Sequence, residues 1–123
     1  MARHPYYPQS LSIPHFVPQN VPMEKILFTF FSGLLILTFV FLSVYARRPS
    51  KGAPAYLALW FFMCGLIHTF VEGYFVATNA TIAGDTTFLA NLWKEYAKSD
   101  SRYMISDPTV LLIEGITAVR KIY

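Results

Sequence analysis

The sequence predicts an all-α membrane protein with two complete transmembrane helices, an interfacial helical segment and the start of a third helix. Three observations carry that expectation. Residues Ile26 to Tyr45 form a run of 20 without a charge, and about 20 apolar residues cross the roughly 30 Å hydrocarbon core as a helix. A second apolar block follows after a short basic connection. The composition is 54% hydrophobic, 17% aromatic and only 14% charged, unlike an ordinary soluble domain. At 123 residues, two spans and their connections leave room for one domain.

Residues 1–25 form a Pro-rich segment in which Pro5, Pro8, Pro14, Pro18 and Pro22 alternate with Tyr6, Tyr7, His15 and Phe16. That spacing prevents a regular helix and favours extended, polyproline-like backbone. The following apolar run comes too late and is too long for a secretory signal peptide. His4 and His15 read as solvated residues, because no partner stands at metal-ligand spacing.

The first span covers Ile26 to Tyr45, with Ser32, Gly33, Thr38 and Ser43 as helix-contact residues. Ala46 to Ala53 carries Arg47, Arg48 and Lys51 and no acid, which makes it the cytoplasmic loop by the positive-inside rule. Arg3 and Lys25 pull weakly against that orientation. The basic residues are otherwise scattered and the net charge is only +3, so no nucleic-acid footprint is present.

The second span runs from about Ala55 to Val76. Steps of three and four place Phe61, Cys64, Gly65, His68, Glu72 and Phe75 on one face. Cys64, the single cysteine, reads as a packing residue. His68 and Glu72 are different: an ionisable side chain at the centre of a spanning helix costs about 2.5 to 3.5 kcal/mol, so such groups face a protein interior and mark function. Four residues apart, they stack on one face and can share a proton. A structural polar pair between helices is the equally weighted alternative.

Phe88 to Tyr103 is amphipathic, with Phe88, Leu89, Leu92, Trp93 and Tyr96 on its apolar side, and predicts an interfacial helix. Lys94, Glu95 and Lys98 read as loose pairs on a solvated face. A third helix starts at Pro108, with Asp107 near its cap, and the apolar pattern stops at Arg120 and Lys121. Twelve residues from Pro108 to Val119 reach only about 18 Å. Glu114 is a second carboxylate at apparent membrane depth, and Thr117 follows it by one turn.

Two carboxylates and an imidazole in a low-dielectric place suit proton transfer on an apolar substrate. Burial favours the neutral form of a carboxyl group, which equips it as a general acid, and a histidine beside it can relay or accept the proton. Phe61, Phe62, Phe70, Tyr74 and Phe75 offer π faces to a cation.

The segments Cys64-Gly-Leu-Ile-His68-Thr-Phe-Val-Glu72-Gly-Tyr-Phe75, Leu92-Trp-Lys-Glu-Tyr-Ala-Lys-Ser-Asp-Ser-Arg-Tyr103 and Glu114-Gly-Ile-Thr117-Ala closely resemble the emopamil-binding protein family, the sterol Δ8-Δ7 isomerases of EXPERA type. The resemblance covers most of residues 5–118. It implies an endoplasmic-reticulum, multi-pass enzyme of sterol biosynthesis that moves a ring double bond from the 8(9) to the 7(8) position through a carbocation, without a cofactor. It further implies that His68, Glu72 and Glu114 are catalytic and that Thr117 is needed for activity. A sterol substrate, the lipid bilayer and cationic amphiphilic amines are the implied partners, since an ammonium imitates the cationic intermediate; a homo-oligomer is left open.

Members of that family complete a five-helix bundle, whereas here the isomerase-like part is expected over 26–119, followed by a divergent tail at 120–123. The chain therefore resembles a shortened isoform, a splice product or an incomplete gene model, and is expected to be inactive alone. The competing reading is a non-catalytic membrane protein that binds sterols or cationic amphiphiles, or modulates a full-length partner.

Overall fold

The computed structural model describes residues 4–48 and 52–119. Among these the chain forms four α-helices and no strand: α1 (Met23–Tyr45), α2 (Ala55–Thr78), α3 (Phe88–Tyr96) and α4 (Pro108–Val119). A π-helical segment, Ile67–Glu72, lies inside α2, and a short 3-10 turn, Ser101–Met104, joins α3 to α4. Lys51 of the basic loop, Arg3 and the tail at 120–123 lie outside the described residues.

Both α1 and α2 are long and apolar enough to cross a membrane. Their side chains face outward: Phe28, Leu35 and Phe39 on α1 are 70–75% exposed, as suits helices solvated by lipid rather than enclosed in a protein core. α1 begins at Met23 rather than Ile26, because the Pro22 carbonyl accepts from the amides of Lys25 and Ile26 and Glu24 suits the positive end of the helix dipole. The two helices meet through stacked Phe41 and Phe62, with ring centroids 4.6 Å apart.

The densest packing lies around the end of α2, where Tyr6, Phe75, Ile82, Ala90, Trp93, Tyr103 and Met104 form one cluster. The Pro-rich arm is helix-free, as its prolines dictate, but it is folded onto this cluster. Tyr6 is fully buried and donates to the Lys94 carbonyl at 3.2 Å, while the Val17 amide donates to the Ala83 carbonyl at 2.9 Å. His4 consequently departs from its expected solvated state: its Nε2 bonds the Leu11 carbonyl at 2.8 Å and its ring stacks on Tyr6. His15 is exposed as expected.

α3 forms within the expected amphipathic stretch, capped by the Thr87 hydroxyl, which accepts from the Ala90 amide. The Lys98–Glu95 pair sits on its outer face at 2.7 Å. Lys94 corrects the solvated-face expectation. It is fully buried, and its ammonium donates to the carbonyls of Val17 at 2.8 Å and of Asp85. The amphipathic pattern does not reveal that a lysine stem can run inward when backbone carbonyls of a folded-back arm await it.

α4 starts as its sequence predicts. Asp107 Oδ1 accepts from the amides of Thr109 at 2.9 Å and Val110 at 3.2 Å, satisfying two of the donors a helix start leaves open. The helix then packs against the π segment and the last turns of α2.

Candidate proton-transfer site

The site is built on the irregular turn of α2. The Gly73 amide donates back to the His68 carbonyl, five residues away, so this turn holds an extra residue. One extra residue rotates everything after it by about 100° relative to what precedes it. The single face expected from Phe61 to Phe75 is therefore split: Phe75 is fully buried and Phe61 is 62% exposed. Regular steps of three and four do not register such an insertion.

Inside the turn, His68 Nδ1 lies 2.5 Å from Glu72 Oε1. The approach is close but is not aligned as a hydrogen bond, and the buried Glu72 Oε2 has no partner. An unsatisfied buried oxygen is costly, so this carboxyl group is not fully engaged by the described residues. The pair is mostly shielded, with 25% and 15% of the two side chains exposed.

Glu114 stands on α4, which packs against the same turn. Its Oε1 accepts a hydrogen bond from the Tyr103 hydroxyl at 2.5 Å. Burial first, and then this bond to Glu114, push the Tyr103 phenol above its ordinary value, so Tyr103 is the donor. Thr117 turns inward along its own helix: its hydroxyl donates to the carbonyls of Ile113 at 3.2 Å and Glu114 at 3.0 Å. The four expected residues thus fall into a contacting pair, a second carboxylate with its own donor, and a threonine engaged with backbone.

Two clefts flank the turn. An apolar one of about 490 Å³ opens between α1 and α2, lined by Phe30, Gly33, Leu37, Ile67, Phe70 and Val71 among others, within the size range of small-molecule sites. A smaller one of about 270 Å³ separates Thr69, Gly73 and Ala77 from Gly115, Ala118 and Val119. Neither is lined by His68 or Glu72. The aromatic residues expected to gather near the pair are dispersed instead: Phe62 stacks on Phe41, Phe70 is 62% exposed, and Tyr74 bonds Asp85 and Thr87. Among the described residues no group of three or more His, Cys, Asp or Glu gathers as a metal site would require.

Sequence reasoning missed two residues, Trp93 and Tyr103. Both lie in a stretch whose pattern shows amphipathicity and a family resemblance but assigns neither residue a place at the site, and both are buried against Phe75, with ring centroids at 4.9 and 5.1 Å. The Trp93 indole also donates to the Val71 carbonyl of the π turn at 3.0 Å.

The described residues thus form an all-helical chain with two helices long and apolar enough to cross a membrane, one of them carrying a sheltered imidazole–carboxylate contact, with a second carboxylate on the adjoining helix. No family model matches the chain. It is nonetheless 44% identical over 119 residues to the 3-beta-hydroxysteroid-Delta(8),Delta(7)-isomerase of Mus musculus, covering 94% of this chain and 51% of that protein. It is 40% identical over 118 residues to the probable isomerase of the same name from Arabidopsis thaliana, at 94% and 52% coverage. Isomeliandiol synthase MOI2 of Melia azedarach is 36% identical over 92 residues, at 72% and 43% coverage. The chain resembles the emopamil-binding protein family over most of its length, and it spans about half the length of the curated relatives it matches.

Proposed function

We propose that this chain carries the proton-transfer residues of a sterol Δ8-Δ7 isomerase, over an isomerase-like region at 26–119. The observation behind the proposal is the 2.5 Å approach of His68 Nδ1 to Glu72 Oε1 in an otherwise apolar, membrane-length helix. Moving a double bond from 8(9) to 7(8) needs a proton delivered to C9, which leaves the positive charge at C8, and a proton withdrawn from C7. One proton enters and one leaves, so the reaction is an isomerisation with no net redox change. In this reading Glu72 and His68 form the pair that exchanges protons with the ring, each restoring the other's protonation state. Glu114 stabilises the cation through its negative charge, and Thr117 supports Glu114 from the same helix.

The same reading puts the chain in the endoplasmic-reticulum membrane as a multi-pass protein. It makes cationic amphiphilic amines ligands, because an ammonium group imitates the charged intermediate, and it admits a homo-oligomer. The test is a chimera in which residues 1–119 replace the matching segment of the mouse relative, assayed in membranes with a Δ8 sterol. Conversion to the Δ7 sterol, lost on Glu72→Gln, supports the proposal. A chimera that folds and inserts but gives no product overturns it. Saturable amine binding without conversion would favour the non-catalytic binding protein instead.

A further inference from the structure

We propose that Trp93 is a positioning residue of this site: its indole fixes the π turn carrying His68 and Glu72 against the tyrosine that holds Glu114. The inference rests on the isomerase reading above and names a residue that touches none of the reacting groups.

Trp93 is 6% exposed, and a buried indole N–H needs an acceptor. Its Nε1 takes the Val71 carbonyl, at 3.0 Å, although a regular helix would engage that carbonyl in its own ladder. Val71 immediately precedes Glu72 and lies within the π turn. Such turns are rare, occur mostly as single insertions inside α-helices and are frequent at functional sites, so an external donor at this point stabilises the irregular form over the regular one. Losing the extra residue would rotate Glu72 relative to the upstream half of α2.

The other side of the ring makes the second connection. The Trp93 face stacks on Tyr103, with centroids 5.0 Å apart and planes 22° apart, and Tyr103 donates to Glu114 at 2.5 Å. One rigid ring system therefore touches the backbone beside Glu72 with its polar edge and the partner of Glu114 with its flat face. Phe75 fills the angle between Trp93 and Tyr103, leaving the stack little room to slide.

Replacing Trp93 with 3-benzothienylalanine keeps the ring shape and removes only the N–H donor; Trp93→Phe keeps an aromatic face and also removes the donor. Amide hydrogen exchange on the full 123-residue chain in lipid nanodiscs should show residues 67–73 exchanging about tenfold faster in either variant, with 26–45 unchanged. In the chimera, kcat should fall about tenfold while KM stays within about twofold, a split that a general loss of folded protein would not produce. Unchanged exchange at 67–73 overturns the inference, and so does faster exchange with unchanged kcat. A wild-type chimera without turnover overturns the isomerase reading instead, and exchange at 67–73 still decides by itself whether the Trp93 tether holds the turn.

Discussion

The Tyr103 hydroxyl and Glu114 Oε1, 2.5 Å apart, tie the connection after α3 to the helix that packs against the π turn. Hydrogen bonds to charged groups contribute about 1.5 to 3 kcal/mol, and the ring of Tyr103 is already fixed by Trp93 and Phe75. Tyr103→Phe keeps that packing and removes only the hydroxyl. Its melting temperature should fall by a few degrees, and in the chimera turnover should drop about tenfold. Wild-type turnover in Tyr103→Phe would mean that Glu114 does not depend on this donor for its orientation.

His68 and Glu72 should behave as a unit. Either His68→Ala or Glu72→Gln removes one member of the proposed proton-exchanging contact, and positioned acid–base groups contribute about 10²- to 10⁴-fold. Once one partner is gone the other has nothing to exchange with, so the double variant should lose little more than the worse single variant. Steady-state turnover of the four chimeras measures this directly. Multiplying losses would show two independent groups rather than a coupled pair.

How much of the fold and the site is legible in the sequence depends on which interactions are local. The two spans and the cap at Asp107 follow from runs, spacing and a preference for carboxylates at helix starts, all of which act within a few residues. The four-residue spacing likewise brings His68 to Glu72. The π turn is hidden, because its support is a hydrogen bond from Trp93, 22 positions downstream of Val71. Lys94 is hidden for the same reason: its acceptor Val17 is 77 positions away. Glu114 stands out as a carboxylate in an apolar run, but its donor Tyr103 does not, since nothing near Tyr103 in the chain distinguishes a buried phenol from one lying on lipid.

Lys94 should be the main tie between the Pro-rich arm and the helices. Its ammonium is buried, and burial lowers its pKa against the opposing influence of Asp85. Substituting Lys94→Met saves the cost of burying a charge but leaves the carbonyls of Val17 and Asp85 without this donor. Each unsatisfied group costs about 1 to 3 kcal/mol, so the balance should favour wild type. Limited proteolysis in nanodiscs should then cut the variant within residues 4–22 at protease levels that leave the wild type whole. Equal resistance would assign the arm's attachment to Tyr6 and its aromatic neighbours.

Asp85 gives a prediction with a definite pH sign. Its carboxylate accepts from Tyr74, from the Thr87 amide at 2.9 Å and from the Thr87 hydroxyl at 3.1 Å. The bond from Tyr74 is the largest influence holding its pKa below the ordinary 3.8. A carboxylate with a depressed native pKa contributes stability that is complete above its unfolded value and fades as pH falls through the native value. The wild type should therefore melt above Asp85→Asn at about pH 6.5, and the gap should close progressively below about pH 3.8. Asp100 is also held low, by Arg102, so overall stability will fall in acid for both proteins; the difference between them isolates Asp85. A gap that stays constant into acid would mean that the charge on Asp85 contributes nothing, and that the Tyr74–Thr87 cluster is held by geometry an asparagine can reproduce.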